Sequence, residues 1–372
     1  MFNFVPIQLY TPIFNYVILV LVFIVLYQCH TGSVFQQKTA TMNAGWGVLI
    51  MVVLVLYMGL RPISSAFGDT MNYAREYVIQ AKSGEPFTWK IESEWLFGNL
   101  LQLFAKYGGS LHALFLLCSV FYVVPLWLAM KRVFRSYYFV PFLVIMSTFF
   151  FWQYGVNGVR NGIGASLFIL AMTYVENLPV ALLLCFLGVG FHLSILLMIA
   201  AALLAWFFNR SNYYLAGWVL CVIVSYFWGE TIQSALSGLN LFSGDDRFSD
   251  YLTGEAIKGE GMDMTMSFRW DFLIFSAVGV VVGYYFIYRR EFEDEYYHWI
   301  YNTFLATNAF WVLIIRAVYS NRFAQISWFI MPLVLVYPFM KKRFWQDHEK
   351  MLGYALMAFY LFTFYFNIIR GG

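Results

Sequence analysis

Apolar stretches of membrane-spanning length alternate with short polar breaks from one end of the chain to the other. Judged by apolar length and basic flanks, they run over 9–28, 44–61, 110–130, 137–155, 161–176, 178–191, 193–208, 213–229, 270–288, 297–315, 323–340 and 351–369. That is about twelve segments, each read as a transmembrane helix. A single helix over 178–208 would reach roughly 46 Å at about 1.5 Å per residue, against a hydrocarbon core of about 30 Å. Gly188, Gly190 and His192 interrupt that run, so the pattern predicts two short helices meeting at His192. Two longer polar segments, 62–92 and 230–268, read as loops. Between the first of these and the next apolar run, 94–107 carries Trp95, Leu96, Phe97, Leu100, Leu101, Leu103 and Phe104. It is amphipathic and too short to span, which predicts an interfacial or re-entrant helix. The fold class is an all-α polytopic membrane protein, with 1–372 as a single membrane domain.

Composition supports the same class. Of 372 residues, 61% are hydrophobic, 22% aromatic and only 12% charged, and the mean hydropathy is +0.67, far from the balance of a soluble domain. Cys29, Cys118, Cys185 and Cys221 all lie in or beside apolar runs and read as small apolar residues, with no disulfide framework or zinc site. The first apolar run lacks a basic leader and a small-residue cleavage site, so it reads as a retained helix. No His, Cys and carboxylate cluster has metal-ligand spacing, and there is no phosphate loop or dinucleotide fingerprint. No metal, cofactor or nucleic acid is expected as a ligand.

Charge distribution sets the expected orientation. The dense basic clusters Lys131-Arg132-Val133-Phe134-Arg135, Arg289-Arg290 and Lys341-Lys342-Arg343 hold short loops in the cytoplasm. Both long polar segments then face outward. On that outer face fall isolated arginines: Arg160, in the polar island Gly155–Gly162, with Arg316 and Arg322; Arg269 also ends an apolar segment. None has an obviously dedicated acidic residue in sequence. A cation at membrane depth is costly unless it faces a cavity, a partner or a ligand, so the set reads as a site for an anionic lipid headgroup. The plainer alternative is that each side chain snorkels to the interface. His192, in Phe191-His192-Leu193-Ser194, is the histidine most deeply set in apolar sequence. It reads either as a helix-end residue satisfied by backbone, or as a general base or phosphate contact.

The order of short motifs resembles the EpsG-like branch of Wzy-type polysaccharide polymerases. It runs through Asp69-Thr70 with Tyr73, Glu94 before the amphipathic helix, Arg160-Asn161, Phe191-His192-Leu193-Ser194, Arg247 with Tyr251, and Asn321-Arg322-Phe323-Ala324. Asn161 stands where the resemblance leads one to expect Gln in many relatives.

The resemblance implies a membrane glycosyltransferase of the GT-C type in the bacterial inner membrane, with its active site facing the periplasm. Its donor and acceptor are oligosaccharide repeat units on undecaprenyl pyrophosphate, and it works beside a flippase and a chain-length co-polymerase without a nucleotide-sugar. On these residues it implies pyrophosphate binding by Arg160, Arg322, Arg316 and, less centrally, Arg269. Sugar contacts would come from Tyr73, Asn161, Arg247 and Tyr251. The proton of the acceptor hydroxyl would go to His192, Asp69 or Glu94, with His192 favoured because nearby cations keep an imidazole neutral. An O-antigen ligase and a lipid-linked glycan flippase are the rival readings.

Overall fold

The computed structural model describes residues 5–91, 94–238, 267–318 and 320–369, and every element among them is helical. The chain forms two compact units. The first comprises Met1–Ile195 with Phe339–Gly372, the second Leu196–Pro338.

In the first unit, α1 (Tyr10–His30), α2 (Gln37–Gly59) and α5 (Leu111–Phe134) are long apolar helices. Ser110 caps α5 by accepting from the Ala113 N–H, and Lys131 and Arg132 close its C-terminus, where cations suit the helix dipole. The α5 helix packs against α2 and α8 (Val159–Met172), α8 against α9 (Leu178–Phe191), and α1 against α16 (His348–Phe364). The segment read as one span over 137–155 is two short helices, α6 (Phe139–Met146) and α7 (Phe149–Val156), bent by 76° at Ser147-Thr148. There the Thr148 hydroxyl donates back to the Ile145 carbonyl, satisfying an acceptor that the break releases. The polar segment 62–92 carries a thirteen-residue helix, α3 (Thr70–Lys82), which buries Thr70 and Tyr73. The amphipathic segment forms α4 (Trp95–Lys106), packed against α3, α5 and α9. Gly190 lets α4 approach α9, since a Cβ there would meet the Trp95 ring at 2.9 Å.

The second unit contains α10 (Ile195–Phe207), α11 (Ser211–Gly238), α12 (Trp270–Tyr284), α13 (Glu295–Leu313), α14 (Ser320–Trp328) and most of α15 (Met331–Lys341). The α11 helix packs along α13, and α13 along α14. A buried polar knot ties them: Asn308 donates to Ser276 and Ser327 and accepts from Trp218, while Trp328 donates to Ser276. Each member has a partner, as polar groups inside a membrane bundle require.

Every predicted apolar segment contains helix, and the run 178–208 is broken at His192, between α9 and α10. Among the described residues, seven helices are long and apolar enough to cross a membrane, or eight with the bent α6–α7 pair counted as one span. The helices α8, α9 and α10 are apolar but shorter.

Candidate functional site

Three helix ends and one helix break meet in the first unit. Asp69 precedes α3, Glu94 precedes α4, Arg160 lies in the first turn of α8, and His192 closes α9. Helix N-termini present unpaired N–H groups and partial positive charge, so this is a natural place for carboxylates and for an anionic ligand.

Glu94 is the hub. Its carboxylate is 5% exposed and pairs through Oε2 with Arg160 Nη1. Its Oε1 lies 3.2 Å from His192 Nε2. The backbone of Glu94 is left-handed, with φ 58° and ψ 34°, a conformation that costs a non-glycine residue of order 1–3 kcal/mol unless its surroundings impose it. Asn99 imposes it. The Asn99 Oδ1 accepts from the Lys90 N–H at 3.0 Å, and its Nδ2 donates to the carbonyls of Lys90 and Trp95, both at 2.6 Å. The chain on either side of Glu94 is thereby pinned to α4.

His192 is held on both sides. The backbone N–H of Ser194 donates to Nδ1 at 3.2 Å, and the Ser194 hydroxyl lies 2.8 Å from the same nitrogen. An atom that accepts an N–H carries no proton, so in the neutral ring the hydrogen is on Nε2, the nitrogen nearer Glu94. The Ser194 hydroxyl is also 3.4 Å from Asn161 Oδ1, and Asn161 Nδ2 donates to the Tyr154 hydroxyl at 3.2 Å. Arg160, Glu94, His192, Ser194, Asn161 and Tyr154 thus form one continuous polar chain.

Aromatic rings flank the guanidinium. Arg160 Cζ lies 5.5 Å from the Tyr73 ring centre and 5.6 Å from that of Phe97, within cation–π range. Burial pushes the Tyr73 hydroxyl up to about 12, against the opposing pull of Arg160, so it remains a protonated donor at neutral pH. Asp69, one helical turn before Tyr73, is half-buried, and its carboxylate accepts from Asn72 Nδ2 at 3.3 Å. The Asp69 N–H donates to Asn157 Oδ1 at 2.8 Å. Gly68 makes this possible, having φ 56° and the Asn157 amide where a Cβ would stand.

The sequence reading missed Arg61. It is 1% exposed and donates to the carbonyls of Met58 and Val156 and to the Thr70 hydroxyl, at 2.6, 2.9 and 3.0 Å. Its Cζ sits 4.6 Å from the Phe115 ring centre. Burial lowers it to about 10, still charged at neutral pH. One guanidinium therefore ties the end of α2 to the start of α3 and the end of α7. The signal was present, since Arg61 stands at the end of an apolar run, as the other singled-out arginines adjoin theirs. Asn157 and Ser194 lay inside the polar island and the histidine motif, but the bond of Asn157 to Asp69 and that of Ser194 to Asn161 depend on the tertiary fold.

The other singled-out arginines lie in the second unit, and two correct the expectation that none has an acid of its own. Arg269 forms a two-pronged pair with Asp271, at 3.0 and 2.7 Å, and stacks over Phe272. A local acid and a ring thus occupy it. Arg316 lies 4.0 Å from the Glu230 carboxylate and donates to the Tyr226 carbonyl at 3.4 Å. Arg160, in the first unit, is likewise paired, with Glu94 from a distant part of the chain. Beside Gly229, the Arg316 Nε, and along the same stripe of α11 the buried Ser225 Oγ and Gln233 Nε2, have no hydrogen-bond partner among the described residues. Arg322 is exposed on α14. Arg247 and Tyr251 lie outside the described residues. Among the described residues no group of His, Cys, Asp and Glu could hold a metal ion.

A family model described as the EpsG family matches residues 45–372. No curated protein and no solved structure matches the chain.

Proposed function

The chain belongs to the EpsG family, and from that premise we propose that it is a glycosyltransferase polymerising undecaprenyl-pyrophosphate-linked repeat units at the periplasmic face of the bacterial inner membrane. Membership points to a polysaccharide polymerase; the lipid carrier, the membrane face and the GT-C architecture are our reading. In it, α8, α9, α10 and α13 complete a bundle of about twelve crossings. The observation that carries the reading is the meeting of Arg160, Glu94, Tyr73 and His192 at helix ends.

The acceptor hydroxyl oxygen attacks the donor anomeric carbon. The bond from that carbon to the pyrophosphate oxygen breaks, and its electron pair leaves with the lipid pyrophosphate. That leaving group is already anionic and needs charge stabilisation more than a proton. Arg160 supplies it, because a guanidinium fork matches phosphate oxygens. The acceptor proton goes to Asp69. Support for Asp69 over His192 is geometric: both imidazole nitrogens face groups of this chain, whereas Asp69 is half-open and its one described side-chain partner is Asn72. His192 then holds Glu94, and Glu94 holds Arg160. Two lipid pyrophosphates present two anions, and the unpartnered donors of Arg316, Ser225 and Gln233 suit the second, with Arg322 as a further cation. Tyr73, Asn161, Arg247 and Tyr251 contact sugar. A flippase and a chain-length co-polymerase serve the same pathway.

A deletion strain examined by glycan gel tests the reading. We expect polymer to vanish while a single capped repeat unit remains. Polymer retained on its carrier but not attached means a ligase, and lipid-linked units accumulating in the cytoplasm mean a flippase.

A further inference from the structure

At the basic end of the first unit, away from the polar chain around Glu94, a groove of about 580 Å³ opens between α2 and the turn joining α5 to α6. Ala44, Gly45 and Val48 form one wall, and Lys131, Arg135, Ser136 and Tyr138 the other. Its back is rigid. Tyr138 donates from its hydroxyl to the Ala44 carbonyl and lies so close to Gly47 that any side chain there would strike its ring. Its mouth is open, since nothing lies within 4 Å of where a Gly45 side chain would stand.

The charges at the rim are available. Lys131 and Arg135 are exposed. Lys131 rests 4.8 Å from the Trp127 ring centre, a contact that leaves its ammonium hydrogens open. Arg135 is carried on a backbone with φ 51° and ψ −124°, a region that residues with side chains avoid. That bend brings the Arg135 and Ser136 side chains to the same groove as α2. Below the rim, the α2 surface is apolar and outward-facing, with Val48, Leu49 and Val52 at 43, 50 and 43% exposure. In a helix of spanning length and hydropathy, such a surface faces acyl chains.

We propose that this groove seats an anionic phospholipid, with its phosphate between Lys131, Arg135 and Ser136 and one acyl chain lying along Val48 and Val52. Two cations and a hydroxyl at the polar end of an apolar channel match a headgroup phosphate joined to a hydrocarbon tail. Small residues at positions 44 and 45 leave room for the glycerol backbone. A basic pocket beside a membrane helix at its expected cytoplasmic end is where anionic headgroups gather. The proposal concerns a different site from the glycosyl-transfer centre and stands whether or not that reading holds.

Native mass spectrometry of the full chain, extracted in mild detergent and loaded with phosphatidylglycerol or phosphatidylcholine, tests it. We expect phosphatidylglycerol to be retained preferentially. Retention should fall roughly five-fold for Lys131→Gln or Arg135→Gln and about twenty-five-fold for both, at about 1 kcal/mol per basic residue. Gly45→Leu keeps both cations and fills the channel, and it should release the lipid too. Arg343→Gln, a basic residue paired with Glu349 outside the groove, should retain it. Equal retention of the two lipids, or retention that survives Gly45→Leu, overturns the proposal. So does an excess of inorganic phosphate that protects the lipid-free protein against heat as well as phosphatidylglycerol does, because the site then takes a free anion.

Discussion

Glu94 and His192 exchange importance once their partners are known. From sequence, the histidine stood out because an imidazole is rare in apolar surroundings, and Glu94 was one of several carboxylates near a helix start. In the structure Glu94 is buried in left-handed backbone and engaged by both Arg160 and His192. The two histidine nitrogens are taken up within the protein. Variants at 192 and 69 therefore separate positioning from proton transfer. His192→Gln retains an N–H that can reach Glu94 and should keep within about ten-fold of wild-type polymerisation, less than the ~10²-fold minimum typical of losing a general base. Asp69→Asn should lose about 10²–10⁴-fold. Initial rates of repeat-unit joining in isolated membranes, at matched protein level, make the comparison; the reverse ranking makes His192 the base. Arg160→Lys should cost about 10²–10³-fold, as removing a charge clamp does, because an ammonium lacks the planar fork that matches phosphate oxygens. Residue types and motifs were legible in the sequence. The pairings were not, because Glu94 meets Arg160 across 66 residues and nothing in local periodicity encodes such a contact.

Among the elements, the break at His192 was readable from the glycines before it and from the excessive length of an unbroken helix. The α3 helix was not, because its residues are polar and its stability comes from packing against α4 and from Arg61, which bonds to Thr70. The bend between α6 and α7 was equally hidden, since apolar content runs through it on both sides. Two substitutions probe how these elements hold the site. Gly68→Ala places a methyl against Asn157 on left-handed backbone and should destabilise by about 1–3 kcal/mol, with polymer loss, because Asp69 moves with the turn. Arg61→Met strips the donors from the Met58 and Val156 carbonyls and should cost on the order of 3 kcal/mol. Thermal unfolding in detergent measures both. An unchanged midpoint for Arg61→Met would show that the junction of α2, α3 and α7 holds without its guanidinium.

For the whole molecule, apolar length located the helices, but length and composition alone do not fix how many cross the membrane: α8, α9 and α10 are apolar and short. Topology can be read directly. With Cys185 and Cys221 replaced by serine, Gly84→Cys should react with a membrane-impermeant thiol reagent added to spheroplasts, and Lys342→Cys should not, because the basic loops stay inside. Reaction at both, or the opposite pattern, would reverse the orientation. The central claim is that the Arg160–Glu94 centre joins lipid-linked repeat units by itself. Its most direct test uses the purified chain in vesicles supplied only with undecaprenyl-pyrophosphate-linked repeat unit, the products being resolved as a size ladder. The account predicts a ladder from the wild-type chain and none from Arg160→Lys or Glu94→Gln at equal reconstitution. Units that cross the bilayer without lengthening, or a ladder that both variants still make in full, would contradict it.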